Sequence, residues 1–213
     1  MNRLFHESDI LTVIKKKALE SKKSLLQAAH AHGRDIKIYL HWSAGTYDQV
    51  FNDYHINIQG DGTIYCTNKS LGFAEQKDHT FSRNPGAIGV ALCCCGGNFG
   101  QNGSMGPYPP TKIQIETMAK VTCILADTLG LPIDIYHIMT HGEAGDNEDG
   151  IHPHDSYGPK APTCERVDLE WLTNDQFKQF YQTAQLAKSG DRGGDILRRK
   201  IKWYHDQGLT KLY

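Results

Sequence analysis

Two histidines lie where predicted strands give way to loops, and their positions are typical of a metal site. His41 ends the alternating segment IKIYLHWS (36–43), and His141 follows the apolar segment IDIYHIM (133–139). Side chains held by rigid strand ends and directed into a cleft are well placed to bind a catalytic metal ion. Catalytic zinc needs three protein ligands, and Cys164 is the strongest third candidate because thiolate binds zinc well. Asp155, His152, His154 and Glu143 compete with it for this third position.

The segment between the later two candidates, residues 140–164, is rich in acids, so calcium is a second possible occupant. A calcium loop of the EF-hand type places oxygen ligands at its first, third and fifth positions before a glycine. If Gly150 is the glycine of such a loop, its first position falls on Gly145, which has no side-chain oxygen. We therefore expect a solvated or substrate-contacting loop and not a calcium site.

Composition limits what the chain can be. Its 213 residues fit one domain of ordinary size, and at 39% hydrophobic they can bury a substantial core. The formal net charge of −1 gives no overall signature of nucleic-acid or membrane binding. The first residues, MNRLFHESDILTVIKKK, lack the apolar centre of a signal peptide, and no run approaches the roughly 18 apolar residues of a membrane span. We expect a protein made in the cytoplasm without a signal peptide, with no nucleic-acid partner and no membrane span.

Helices and strands alternate along the chain. A helix is predicted from Ser8 to Gly33, with a possible break between Ser21 and Ser24. The run YHINIQGDGTIYC predicts a β-hairpin, and the apolar run AIGVALCCC (87–95) predicts a strand buried on both faces. After a helix over 111–130, another is expected near Asn174, and ILRRKIKWYHDQG predicts a basic amphipathic helix at the end. The alternation predicts an α/β fold, a central mixed β-sheet flanked by helices, with extra N-terminal and C-terminal helices.

Three consecutive cysteines end the apolar run. In a regular strand Cys93 and Cys95 share one face and Cys94 takes the other. With no secretion signal, we expect reduced thiols that pack as small apolar side chains in the core.

Five segments occur in an order that is found in one enzyme family. They are YLHWSAGT, YHINIQGDGTIY, DHTFSRNPGAIGVAL, THGE and CERVDL, spread over roughly residues 36–172. In this order they resemble the zinc-dependent N-acetylmuramoyl-L-alanine amidases of type 2, a family that includes phage endolysins and peptidoglycan recognition proteins. The resemblance implies a central mixed sheet, one Zn²⁺ ion, and hydrolysis of the amide bond between muramic acid and L-alanine in peptidoglycan.

The resemblance also implies roles for individual residues. His41 and His141 match the two zinc histidines, and Cys164 matches the third ligand of the phage and recognition-protein branches. Tyr54 matches a tyrosine expected to hydrogen-bond the attacking water or the tetrahedral oxyanion. His79 matches a histidine in the cleft of phage members.

Two further residues are expected to contact substrate. Glu143 falls two residues after the second zinc histidine, where the family often has an acid. Tyr108 lies in the glycine-rich loop 96–110, where its ring is a candidate for stacking on glycan or stem peptide.

The chain departs from the family pattern at three places. The position two residues before the cysteine, a lysine or threonine that stabilises the oxyanion in the family, is Pro162 here. Proline has no side-chain donor, so Lys160 or Thr163 is the expected substitute. The glutamate that some branches carry in the apolar strand is replaced by Ala91, and segment 140–164 is longer than in phage members.

These observations predict a zinc amidase that is a monomeric phage or prophage endolysin and acts on the bacterial cell wall after release. Two competing hypotheses are a cytoplasmic amidase that recycles anhydro-muropeptides and a peptidoglycan-binding protein without catalytic activity. The predicted division of the chain is an N-terminal helical extension (1–35), the catalytic domain (36–188) and a C-terminal basic helix (189–213).

Overall fold

The computed structural model describes residues 7–67, 72–97, 105–153, 155–162, 165–173 and 190–213. The helices are α1 (Glu7–His30), α2 (Lys112–Leu129), α3 (His141–Gly145) and α4 (Gly193–Asp206). The strands are β1 (Lys37–Trp42), β2 (Ile56–Ile58), β3 (Ile64–Cys66), β4 (Ala87–Leu92) and β5 (Ile138–Thr140). Short 3₁₀ turns span Gly72–Ala74, Glu170–Thr173 and Leu209–Leu212. The helix predicted near Asn174 lies outside the described residues.

The five strands form one mixed sheet in the order β3-β2-β4-β1-β5. Strand β1 runs parallel to both of its neighbours, β4 and β5, and β2 runs parallel to β4. Strands β2 and β3 pair antiparallel, which confirms the hairpin predicted around the Gly-Asp-Gly turn. The sheet and its helices confirm the predicted α/β fold.

The two faces of the sheet have different surroundings. Every second residue of β1, β2 and β4 points into one large core that is shared with α1, α2 and α4, and the strand residues in it include Ile38, Leu40, Ile56, Ile88 and Val90. The opposite face of β1 carries Tyr39 and His41, beside Gly89 and Ala91 of β4. Because those two neighbours are small, this face leaves room for side chains that approach from the loops.

Helix α1 is continuous through the place where a break was considered. Ser21 is buried there, and its hydroxyl oxygen accepts a hydrogen bond of 2.9 Å from the backbone N–H of Phe73. Ser21 therefore does not interrupt the helix, and its side chain joins α1 to the turn that begins at Gly72. The chain leaves the helix through Gly33, whose φ of 67° suits glycine.

The two terminal helices belong to the same core as the sheet. Leu11 and Ile14 of α1 and Ile196 and Ile201 of α4 are fully buried in it, which confirms the extra N-terminal and C-terminal helices. None of the helices in the described part of the chain is both long enough and apolar enough to cross a bilayer. The division of the chain at residues 35 and 188 stays a prediction.

Strand β5 is shorter than its sequence predicts. It begins at Ile138 and not at residue 133, because Asp134 organises a turn before it. The Asp134 Oδ1 accepts hydrogen bonds of 3.0 Å from the backbone N–H groups of Tyr136 and His137. An aspartate side chain that bonds to the backbone two and three residues later competes with a strand.

Strand β4 ends at Leu92, so the three cysteines follow the strand instead of extending it. Cys95 has a φ of 65°, which is incompatible with a strand. The prediction that Cys94 faces away from the other two is therefore wrong. All three thiols are nevertheless fully buried, as predicted, and Cys94 and Cys95 both pack in the large core.

Candidate metal centre and its cleft

The parallel pairing of β1 with β5 brings two candidate ligands together. Leu40 pairs with Thr140 in the register of these strands, so the next residues, His41 and His141, stand side by side at the carboxyl edge of the sheet. Their rings lie 4.9 Å apart, centroid to centroid, in an edge-on arrangement. The two histidines that the sequence singles out therefore share one site.

A third candidate ligand at this site is Asp168, which no sequence pattern had singled out. Its Oδ2 lies 3.4 Å from Nδ1 of His41 and 3.7 Å from Nδ1 of His141. All three side chains are buried, and their ligand atoms lie within 4.8 Å of one another. Asp168 lies far from His141 in the sequence, and neither spacing nor periodicity marked it out.

The donor set and its spacing fit a zinc ion. Zinc in proteins takes histidine nitrogen and carboxylate oxygen at about 2.0–2.2 Å in a tetrahedral arrangement, which separates neighbouring donors by roughly 3.3–3.6 Å. The two separations from Asp168 lie close to this value. Within the described residues, the buried Nδ1 of His41 makes no hydrogen bond of acceptable geometry, as a nitrogen reserved for a metal would.

The protonation states also suit a cation. Burial lowers the pKa of His41 to about 4, so its imidazole is neutral at pH 7. Burial opposes the charge on Asp168, but the neighbouring imidazoles of His141 and His41 outweigh it and hold the pKa of that carboxyl well below its ordinary value. Metal ligands must be deprotonated, and these two groups already are.

Cys164 and the neighbouring Thr163 lie outside the described residues, as does His154. Their roles stay predictions. His152 and Asp155, which the sequence also offered as third ligands, are exposed and do not join the buried cluster that the described residues form.

Tyr54 and His79 flank the cluster, and the roles that the resemblance implies for them stay predictions. The ring of Tyr54 lies 5.0 Å from that of His41, and the ring of His79 lies 5.3 Å from it. Burial raises the pKa of Tyr54 well above its ordinary value and lowers that of His79 well below. The ring of His79 stacks so closely over Gly89 that a Cβ there would lie 2.7 Å from its Cγ.

Thr80 connects two of the histidines. Its hydroxyl lies 3.4 Å from Nε2 of His41 and 2.9 Å from Nδ1 of His79. If Nδ1 of His41 is turned to a metal, Nε2 carries the proton and donates to Thr80, which in turn donates to His79. His79 then keeps its proton on Nε2, a buried atom with no partner among the described residues.

His55 is structural, as expected from its place next to Tyr54 in a strand. Its Nδ1 accepts a hydrogen bond of 3.0 Å from the backbone N–H of Gly89, and its Nε2 donates one of 2.7 Å to the carbonyl oxygen of Glu75. Both ring nitrogens are satisfied, so the imidazole joins β4 to the loop that carries Glu75.

A cavity of about 730 Å³ opens beside the cluster. Its lining includes His79, His141, Tyr157 and Arg166, together with the exposed Phe81. Arg166 is exposed and precedes Asp168 by two residues. Like Asp168, it was not singled out from the sequence. The cavity is large enough for part of an extended ligand and places a positive charge beside the candidate ligands.

Three sequence-predicted residues have different contacts from those expected. Glu143 is fully buried and its carboxylate is bound by Arg198, which supports a structural role in place of the expected substrate contact. Lys160 is exposed and pairs with Glu148, and it does not line the cavity. Tyr108 packs edge-on against Tyr47, with 5.4 Å between ring centroids, and is likewise not among the lining residues.

Four acids of segment 140–164 are paired with arginines: Glu143, Asp146, Glu148 and Asp149. Asp149 receives hydrogen bonds from Nε (2.8 Å) and Nη2 (3.1 Å) of the fully buried Arg83, and a third from the hydroxyl of Tyr39 (3.1 Å). Asn147 accepts a further bond of 2.8 Å from Arg83. These contacts place the guanidinium of Arg83 at the centre of residues 147–151, and the expectation that the segment is not a calcium site stays a prediction.

Comparison with known proteins places the chain in a family. The family model described as N-acetylmuramoyl-L-alanine amidase matches residues 15–159. No curated protein sequence matches the chain. Among solved structures, the Ph2119 endolysin from Thermus scotoductus MAT2119 bacteriophage Ph2119 is similar at a TM-score of 0.36 and 17% identity, over 51% of this chain and 72% of that one. Since the family model matches most of its length, the chain belongs to the N-acetylmuramoyl-L-alanine amidases.

Proposed function

We propose that this amidase is zinc-dependent and hydrolyses the amide bond between muramic acid and L-alanine in peptidoglycan. The observation that carries the proposal is the buried cluster of His41, His141 and Asp168, in which the carboxylate oxygen lies 3.4 and 3.7 Å from the two histidine nitrogens, close to the spacing of zinc ligands. When bound, zinc would polarise the scissile carbonyl and activate water for attack. Cys164, proposed as a ligand from the family resemblance, competes with Asp168 for the third position.

Tyr54 and His79 act as hydrogen-bond donors in this proposal. Because burial holds the pKa of Tyr54 well above its ordinary value, the phenol stays protonated at neutral pH. It therefore donates to the oxygen that becomes negative during attack, and does not remove a proton. Neutral His79, with its proton on Nε2, offers a second donor to substrate in the cleft.

Arg166 supplies the positive charge that Pro162 cannot. The family places a lysine or threonine two residues before its third ligand, and Arg166 stands two residues before Asp168. It lines the cavity with His141, whereas Lys160 is held at the surface by Glu148. We assign to Arg166 the stabilisation of the oxyanion. Thr163 remains the competing candidate for this donor.

The substrate setting is proposed from the resemblance to phage enzymes. In this proposal the protein is a monomeric endolysin that binds the glycan strand and stem peptide and reaches the bacterial cell wall after release. The basic C-terminal helix offers positive charge to the wall polymer, since Lys202 is exposed and Arg199 partly so.

The test is digestion of whole sacculi with the purified protein, with and without a chelator, and mass spectrometry of the products. Free glycan strands and peptides that begin at L-alanine, formed only when zinc is present, are the expected result. Activity restricted to soluble anhydro-muropeptides would replace the endolysin with a recycling enzyme. Cleavage that survives complete removal of zinc would overturn the metal assignment.

A further inference from the structure

We propose that the start of helix α4 positions the metal centre. The segment Arg192–Asp195 and Arg198 of that helix, here named the clasp, contact both chain segments that carry candidate ligands late in the sequence. The clasp lies beyond residues 15–159, the part of the chain that the family model matches. The inference rests on the proposed zinc site and assigns positioning residues to it.

The first contact of the clasp is with helix α3, whose first residue is His141. Glu143 closes a capping box with Thr140, with hydrogen bonds of 2.9 and 3.1 Å, and so fixes the turn on which the His141 ring stands. Arg198 binds both oxygens of the Glu143 carboxylate at 2.7 and 2.8 Å, and also donates to the carbonyl oxygen of Ile138. Such bidentate pairs define orientation as well as distance.

The glycines of the clasp permit this approach. A Cβ on Gly194 would lie 2.2 and 2.3 Å from the two carboxylate oxygens of Glu143. Real Cβ atoms do not come so close, and the buried carboxylate is held by Arg198 and cannot move aside. Only glycine lets the backbone of α4 lie directly against the capping box.

The second contact is with the segment that presents Asp168. A Cβ on Gly193 would lie 1.7 Å from the carbonyl oxygen of Leu169. Leu169 itself has a φ of 65°, a left-handed conformation that costs free energy in a residue other than glycine. Such a conformation persists only where the surroundings enforce it, and Gly193 packs against it one residue after Asp168.

Arg192 joins the two segments. Its Nε and Nη2 each donate a hydrogen bond of 2.9 Å to the carboxylate of Glu170, two residues after Asp168. The same Nη2 lies 2.8 Å from Oδ2 of Asp146, the residue that ends α3. One guanidinium therefore sets the distance between the ligand-bearing segments.

Helix α4 has a second attachment that serves as a control. Lys200 pairs with Glu116 of α2, and Tyr204 donates a hydrogen bond of 2.7 Å to the same carboxylate. This attachment anchors α4 to the core, on a helix that carries none of the candidate ligands. Loosening it should weaken the fold without displacing them.

The experiment compares zinc affinity, measured by competition with a chromophoric chelator, for the full-length protein and its variants. Gly194→Ala and Arg192→Met should each fold, by far-UV circular dichroism, and should bind zinc about tenfold or more weakly, the lower end of what outer-sphere partners of metal ligands contribute. Arg192→Lys keeps the positive charge but cannot form the bidentate contact with Glu170, so it should bind zinc more tightly than Arg192→Met and more weakly than the wild type. Lys200→Ala should lower the thermal midpoint of the metal-free protein and leave zinc affinity at the wild-type value.

Each different outcome has a distinct meaning. If Gly194→Ala and Arg192→Met fold and bind zinc as tightly as the wild type, the clasp does not position the site. If Lys200→Ala reduces zinc affinity as much as they do, the clasp contributes general stability only, and the inference also fails. If the wild-type protein itself binds no zinc, the proposed zinc-dependent function is wrong, and this inference, which rests on it, is wrong as well.

Discussion

At the scale of single residues, the identity of the third ligand decides the chemistry of the site. Asp168 stands close to tetrahedral spacing from two histidine nitrogens, and its pKa is held well below the ordinary value. Cys164 has the better intrinsic affinity for zinc, since thiolate is the softer ligand. An aspartate third ligand leaves more positive charge on the metal than a thiolate does, so it favours polarisation of a carbonyl.

Replacement of each candidate distinguishes them. Loss of a residue that hydrogen-bonds to a metal ligand lowers metal affinity roughly 10- to 100-fold, and Asp168→Ala should lower zinc affinity by at least this much because it removes a ligand itself. Cys164→Ser should leave the affinity within a factor of about two of the wild-type value. Zinc content after dialysis and chelator competition measure both. A Cys164→Ser protein that loses its zinc while Asp168→Ala keeps it would reverse the assignment.

Arg166 should affect catalysis more than binding. Removal of one donor from an oxyanion site costs about 10²–10³ in kcat, and Arg166→Ala is expected to fall in that range with a small change in KM. Arg166→Lys should retain part of the rate because it keeps a positive charge near the carbonyl. The matched control is Lys160→Ala, which removes the cation paired with Glu148 and should leave kcat unchanged. An equal loss of kcat in Arg166→Ala and Lys160→Ala would mean that kcat depends on the overall positive charge and not on the position of Arg166.

At the scale of elements, the sequence predicts those whose signals are local. The helix predicted over 111–130 is observed over Lys112–Leu129, because Thr111 and Gln114 form a capping box and Gly130 ends the helix in a left-handed conformation. Strand β1 and the hairpin follow from alternation in the same way. The sequence predicts that His41 and His141 share a site because both lie at strand ends, and the parallel pairing of β1 with β5 places them side by side.

Elements that depend on distant contacts could not be predicted in this way. Leu169, the residue after Asp168, adopts a left-handed conformation against Gly193, and nothing in the local sequence specifies that conformation. The role of Glu143 depends on Arg198, which lies 55 residues later in the chain. Such long-range contacts between irregular segments leave no periodic signal in a single sequence.

The loop after α3 depends on one buried arginine. Both side chains of the Arg83–Asp149 pair are fully buried, so Arg83→Met would leave an uncompensated carboxylate and an unpaired carbonyl oxygen at Ile151. Loss of one partner from a buried pair costs about 3–5 kcal/mol of unfolding free energy, and we expect this variant to fall in that range by urea denaturation.

The double variant Arg83→Met/Asp149→Asn tests the reason for that loss. Removal of the orphaned charge should recover a large part of the unfolding free energy, since the cost arises mainly from the buried carboxylate. Replacement of Lys16 in the exposed pair with Glu20 should change stability little and serves as the control. Additive losses in the double variant would contradict this account.

At the scale of the whole molecule, several neutral histidines are buried on or beside the sheet face that carries Tyr39 and His41. Burial lowers the pKa of both His41 and His55 to about 4, and that of His79 well below its ordinary value. In the unfolded chain each would titrate near pH 6.5. The unfolded state therefore binds more protons than the folded state between these values, and folding is favoured by rising pH. Burial raises the pKa of Glu170, which acts in the opposite sense but for one group only.

The metal-free protein should accordingly lose stability on acidification from pH 6.5 towards pH 4. His55 alone should contribute about 3 kcal/mol, fully present above pH 6.5 and lost as the pH approaches 4, because burial holds its imidazole neutral in the folded state. Urea unfolding in excess chelator at several pH values measures the slope. His55→Gln should have a shallower slope than the wild type. A His55→Gln slope equal to that of the wild type would show that this imidazole is not held neutral by the fold.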